Sequence, residues 1–234
     1  MASPPETPAH PPVHALEWLA VCAGIKPVSR HLLALSEQAA VEFAARRDDL
    51  VTQYLWSEAY LRGFRTRTGD AHAGVVFVGK SAAAVARAAV AEERTMALRD
   101  RCWLHGGPRA RAPAAIELGA ALGYPACCTE FFARHGLRES NAQLRARALR
   151  ATDGPIDWRL HNTDFAQSLI SHFVCSYRCS ASISLADALL DALRREHPEE
   201  ATRLVGVLQA TLPALVDRLD GRSPAGQTPP EPVQ

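Results

Sequence analysis

Four of the chain's six cysteines fall in two short segments, Cys127 and Cys128 in Gly123–Phe132 and Cys175 and Cys179 in Ser171–Ser180. A vicinal pair, a C-x₃-C pair and His172 three residues ahead of Cys175 together supply soft and borderline donors. Such donors bind zinc or the iron of an iron–sulfur cluster, and as free thiols they support disulfide exchange. Two ligand sets follow. A four-iron cluster takes Cys127 or Cys128 with Cys175 and Cys179, leaving one iron for the other vicinal Cys, for His172 or for substrate. A zinc ion takes one vicinal Cys with Cys175, Cys179 and His172. The C-x₂-C knuckle spacing is absent, which favours the cluster over zinc. Four incidental buried thiols are the plain alternative, since free cysteine is among the most buried residue types.

The elements that position these residues can be read in outline. Pro125 suits the first turn of a helix, where its missing N–H is not needed. The helix then runs through Thr129, Phe131 and Ala133 to a stop at Gly136, with Cys127 and Cys128 in its first turn. There the positive end of the helix dipole favours thiolate. Adjacent side chains on a helix diverge by about 100°, so one of the vicinal pair is expected to ligate while the other packs or faces substrate. Cys175 and Cys179, four apart, share a face if their segment is helical.

The pattern G-Y-P-x-C-C-x-x-F followed by H-x-x-C-x-x-x-C-S resembles an uncharacterised archaeal and bacterial family of domains of unknown function, over about Gly74 to Leu193. The resemblance carries no established activity. Cys175-x₃-Cys179-x₂-Ser182 also resembles the front of the radical-AdoMet pattern, but its third position is serine and no barrel-sized segment follows. That membership is rejected.

Gly74-Val75-Val76-Phe77-Val78-Gly79-Lys80-Ser81 fits the phosphate-loop expression G-x-x-x-x-G-K-[ST] literally. The expression requires a strand before its first glycine and a flexible loop after it. Here the four central residues are themselves the strand-forming run, and a polar turn precedes them. The segment reads as strand, turn and helix start, and nucleotide binding is set aside. Among the histidines, His172 and His161 are the candidate proton carriers, His161 with Asp164 as orienting carboxylate. His105, in the expected loop Cys102–Pro108, has the surroundings of a pocket wall, and His135 those of a helix end.

The wider chain is ordinary soluble protein: 47% apolar, 22% charged, formal net charge +1. That balance gives no electrostatic case for nucleic acid or a membrane surface. Of the 26 basic residues only Lys26 and Lys80 are lysines, a skew read as compositional. No run has the roughly 18 apolar residues of a spanning helix, and no signal peptide is recognisable. The expectation is cytoplasmic, where clustered cysteines mean metal or catalysis more often than structural disulfides.

Residues 1–12 and 221–234 read as disordered tails around one globular domain, 13–220. Helices are expected over Val13–Ala23, Leu32–Arg47, Ala82–Met96, Ala114–Leu122, Ala142–Leu149, from Ser184 or nearer Cys175 to Arg195, and Glu199–Leu219. Pro213 falls within the last of these, where a proline is expected to kink or divide the helix. Leu50–Arg67 is ambiguous between helix and strand, and Gly74–Gly79 is the clear strand. The fold class is α+β, predominantly helical, with a small sheet element. Functionally the chain reads as a metalloprotein, iron–sulfur ahead of zinc, acting on a small molecule or peptide. A non-catalytic zinc module and a metal-free thiol–disulfide protein are the alternatives.

Overall fold

A computed structural model describes residues 14–34, 51–55, 73–105, 107–162 and 168–219. Both expected tails, most of the helix expected over Leu32–Arg47, and Asp164 lie outside the described residues. The described elements are α1 (His14–Cys22), β1 (Val28–Ala34), β2 (Val51–Leu55), β3 (Ala73–Gly79), α2 (Ala82–His105), α3 (Gly107–Ala121), α4 (Ala126–His135), α5 (Asn141–Arg150), a 3₁₀ turn (Trp158–Leu160), α6 (Ser180–Glu196) and α7 (Pro198–Leu219). The chain is α+β and mostly helical, with a small antiparallel sheet.

The sheet is ordered β1-β3-β2, so the apolar run Val75–Val78 forms its centre. Val28 of β1 and Val51 of β2 both lie opposite Gly79, and Leu32 and Leu55 both lie opposite Val75. Val75, Val76, Phe77 and Val78 are all buried. A strand covered on both faces and both edges needs partners for every N–H and C=O. That demand explains why Leu32–Ala34 is strand rather than the start of a helix, and why Val51–Leu55 resolves as strand.

Ser81 Oγ accepts from the Ala84 N–H at 3.4 Å and starts α2. The alanines Ala84, Ala88 and Ala89 then let α2 lie close against Val75 and Phe77. The expected loop at Cys102–Pro108 is helix instead: α2 continues through His105, and α3 begins at Gly107. Pro108 sits in the first turn of α3, where a missing N–H breaks no bond. Pro213 lies inside α7, which runs on to Leu219.

A second core, from Leu19 through Leu160, Ile170, Val174, Tyr177 and Leu190 to Leu208, contains Cys128 and Cys179. Each fully buried Leu or Val side chain there contributes about 1.5–3 kcal/mol. Helix α1 packs on both β1 and α6, joining the two cores. Between α3 and α4, Gly123 adopts φ +74°, and a Cβ there would come within 2.6 Å of Pro27 Cδ. Only glycine meets both conditions, which accounts for the first residue of the G-Y-P motif. Gly119 of α3 likewise sits so close to Thr129 of α4 that a Cβ would fall 2.5 Å from Thr129 Cγ2.

Candidate metal centre

Two helix starts and the bent segment before the second of them build the site. Helix α4 opens with Pro125 at its N-cap, and α6 opens with Cys179 at its own. Neither position makes a side-chain capping hydrogen bond. Helix α5, which carries no cysteine, has a full capping box: Ser140 Oγ accepts from the Gln143 N–H at 3.3 Å, and Gln143 Oε1 accepts from the Ser140 N–H at 2.8 Å. At α6 the Ser182 N–H serves Cys179, and both helix starts place the positive end of a helix dipole at the cysteines they carry.

Cys175 and Cys179 do not lie on a common helical turn. The segment before α6 is bent, because its backbone N–H groups bond elsewhere. Cys175 N–H points to Cys128 Sγ at 3.4 Å, Tyr177 N–H to Thr152 Oγ1 at 2.9 Å, and Arg178 N–H to Ser176 Oγ at 3.1 Å. Asn162 Nδ2 donates to the His172 carbonyl at 3.0 Å and fixes the start of this segment. The bend delivers Cys175 from one direction while α6 delivers Cys179 from another.

All four sulfurs lie within 4.8 Å of one another. Cys179 Sγ is 3.5 Å from Cys127 Sγ and 3.6 Å from Cys128 Sγ, and the vicinal sulfurs are 4.0 Å apart. Both members of the vicinal pair therefore reach the site, against the expectation that only one would. Their Cα–Cβ bonds diverge, but the sulfur is one rotatable bond further out and Cys179 sits within reach of both. Cys127 is exposed and Cys175 partly so, whereas Cys128 and Cys179 are only 1% and 8% exposed.

Thiols this close share protons unequally. Hydrogen bonds from Cys128 and Cys175 hold Cys179 well below the ordinary thiol range; burial opposes them, and Ser182 reinforces them. The same contacts, Cys175 first and Cys179 second, push Cys128 far up, with burial adding to them. For Cys175 the bond with Cys128 pulls down, but the bond with Cys179, burial and the charges of Cys179 and Cys127 outweigh it, leaving the thiol at about 12. Cys179 is thus the thiolate favoured without help, and Cys128 and Cys175 each need a cation beside them to lose their protons. The four-sulfur arrangement can hold a metal ion.

His172 is not one of the four converging donors. It is buried, its Nε2 lies 2.9 Å from Ser182 Oγ, and Ser182 Oγ lies 3.2 Å from Cys128 Sγ. Burial, then the charge of Lys26, lowers the imidazole to about 4, so it is neutral at physiological pH. His161 is buried at the end of the 3₁₀ turn, beside Asn162. Cys22 lies in α1, outside the group.

Sequence reasoning missed a polar layer next to the sulfurs. Lys26, 2% exposed, pairs with Glu17, donates to Ser171 Oγ at 3.3 Å, and lies 4.7 Å from the Tyr124 ring centre. The Tyr124 hydroxyl is 3.2 Å from Ser171 Oγ, and its ring lies 5.0 Å from that of His172. A signal was available, since a lysine in a chain that otherwise uses arginine marks a position needing a compact ammonium. No protein-family model, curated protein or solved structure matches the chain.

Proposed function

We propose that Cys127, Cys128, Cys175 and Cys179 together bind one tetrahedral metal ion, zinc foremost, in a closed site that pins the starts of α4 and α6 to the bent segment between them. The observation carrying this reading is the sulfur spacing. Metal–sulfur bonds of about 2.3 Å give a tetrahedron with edges of roughly 3.8 Å; three of the separations, 3.5, 3.6 and 4.0 Å, bracket that value, and all lie within 4.8 Å. A four-iron cluster holds its cysteine sulfurs farther apart than a single ion does, because an iron–sulfide cage lies between them. Four thiolates fill a zinc ion's coordination, so the role is to hold the fold rather than to activate water. Free, contacting thiols of this kind suit a reducing compartment such as the cytoplasm.

Catalysis on a small molecule or peptide through an iron–sulfur cluster is the second reading. Two observations favour it: Cys127 lies at the exposed edge of the set, and neutral His172 is hydrogen-bonded through Ser182 toward the sulfurs. Neither nucleic acid nor membrane enters either reading.

Metal analysis of anaerobically purified protein decides between them. One zinc per chain, no colour, and a tetrahedral thiolate spectrum after cobalt replacement are expected. Cys128→Ala and Cys179→Ala should each lose the ion and much of the stability, because metal-binding free energy is also folding free energy. Iron with sulfide and broad absorption at about 400 nm would support the cluster. Protein that binds no metal when refolded with zinc or iron would refute both.

A further inference from the structure

The four sulfurs differ in exposure and in their bonds, and from that asymmetry we infer that Cys127 is a modification site: it is attacked by peroxides and then closes a disulfide onto Cys179, releasing the metal. This rests on the proposed metal site but adds a reaction to it. Cys127 is the exposed member of the set. Cys128 is 1% exposed, and its sulfur is engaged by the Cys175 N–H at 3.4 Å and lies 3.2 Å from the Ser182 hydroxyl. Hydrogen bonds and burial both draw reactivity from a sulfur. Cys127, in the first turn of α4, has access to solvent and the helix dipole behind it.

The second partner follows from distance and geometry. Cys179 Sγ lies 3.5 Å from Cys127 Sγ, closer than the 4.0 Å to Cys128 Sγ. A vicinal disulfide is further disfavoured because adjacent Cα atoms are about 3.8 Å apart, short of the usual disulfide range.

In the first step the Cys127 thiolate attacks one oxygen of a hydroperoxide. A sulfur–oxygen bond forms, the oxygen–oxygen bond breaks, and the alcohol or water departs with a proton from solvent, leaving a sulfenic acid. In the second, the Cys179 thiolate attacks Cys127 sulfur, the sulfur–sulfur bond forms, and hydroxide leaves and is protonated to water. The two sulfurs give up two electrons and the peroxide takes them. Two of four ligands lose their charge, and the ion has no remaining closed site.

Trypsin makes the test direct, because Cys127 and Cys128 fall in peptide Ala112–Arg134, Cys175 in Leu160–Arg178, and Cys179 in Cys179–Arg194. Full-length zinc-loaded protein is titrated with hydrogen peroxide, metal release is followed with a chromogenic chelator, and crosslinked peptides are mapped by mass spectrometry. The expected result is a link between Ala112–Arg134 and Cys179–Arg194, appearing in step with one equivalent of metal. Cys127→Ser should abolish that link, whereas Cys128→Ser should keep it. Should either variant fail to fold, limiting iodoacetamide on unaltered loaded protein gives the same information, with Cys127 expected to be labelled first. A link involving Leu160–Arg178, first labelling at Cys175, or metal release without any crosslink would overturn the inference. Zinc content before oxidation tests the metal site separately, and disulfide mapping reads the peroxide reaction with or without metal.

Discussion

His172 and Ser182 are joined by a 2.9 Å hydrogen bond alongside the cysteine site, and that bond determines what Ser182 offers to Cys128. His172 Nδ1 is buried without a hydrogen-bond partner among the described residues. An unpaired N–H would cost more there than a bare ring nitrogen, so Nε2 carries the proton and donates to Ser182 Oγ. The serine hydroxyl is then free to donate to Cys128 Sγ, 3.2 Å away.

Removing that donor should weaken the site without dismantling it. Ser182→Ala is expected to lower metal affinity by about 10–100-fold, in line with outer-shell substitutions elsewhere. His172→Ala should act in the same direction and add little once Ser182 is gone, since both act through one hydroxyl. Ser182→Thr should preserve affinity. Chelator competition measures the effect, and urea unfolding of the metal-free proteins separates it from general destabilisation. Equal affinities in Ser182→Ala and unaltered protein would remove Ser182 from the site.

Much of this arrangement could be read from sequence, for local reasons. Pro125 announced the start of α4, and the apolar run Val75–Val78 announced β3, because both signals lie within a few consecutive residues. Whether the Cys175–Cys179 segment is helical was left open by the sequence, because the partners that take its N–H groups, Cys128 and Thr152, are distant in sequence. The strand at Leu32–Ala34 was missed for a similar reason, since its pairing partner is β3. Lys26 stood out in composition, but its partners could not be read, because only the packing of α1 against α6 and β1 carries Lys26 and Glu17 to Tyr124 and Ser171.

The phosphate-loop expression at Gly74–Ser81 should have no nucleotide affinity behind it. Val75–Val78 pair with β1 and β2, so their N–H groups serve the sheet rather than a phosphate. Lys80 donates instead to the Cys22 carbonyl at 2.5 Å. Lys80→Ala is therefore expected to cost no more than about 1 kcal/mol of stability and to leave calorimetric titrations with ATP or GTP flat before and after. Tight nucleotide binding that this substitution abolishes would reverse the assignment.

The buried pair Lys26–Glu17 should show its weight when broken rather than when replaced. Burial works against the Lys26 charge, but Tyr124 and Glu17 outweigh it and hold the ammonium above its ordinary pKa, so it stays charged. Lys26→Met leaves the Glu17 carboxylate without its cation, and Glu17→Gln leaves a buried ammonium without its counter-charge. Each single change is expected to destabilise by about 3–5 kcal/mol, whereas the apolar double replacement Lys26→Met with Glu17→Leu should recover most of that loss. Lys26 also donates to Ser171 and lies over Tyr124, which stacks near His172. A double variant that regains stability yet binds metal more weakly would show that the ammonium also supports the cysteine site. A double variant as destabilised as either single would mean that the pair is a net source of stability, and additive losses would mean that the two groups are not coupled.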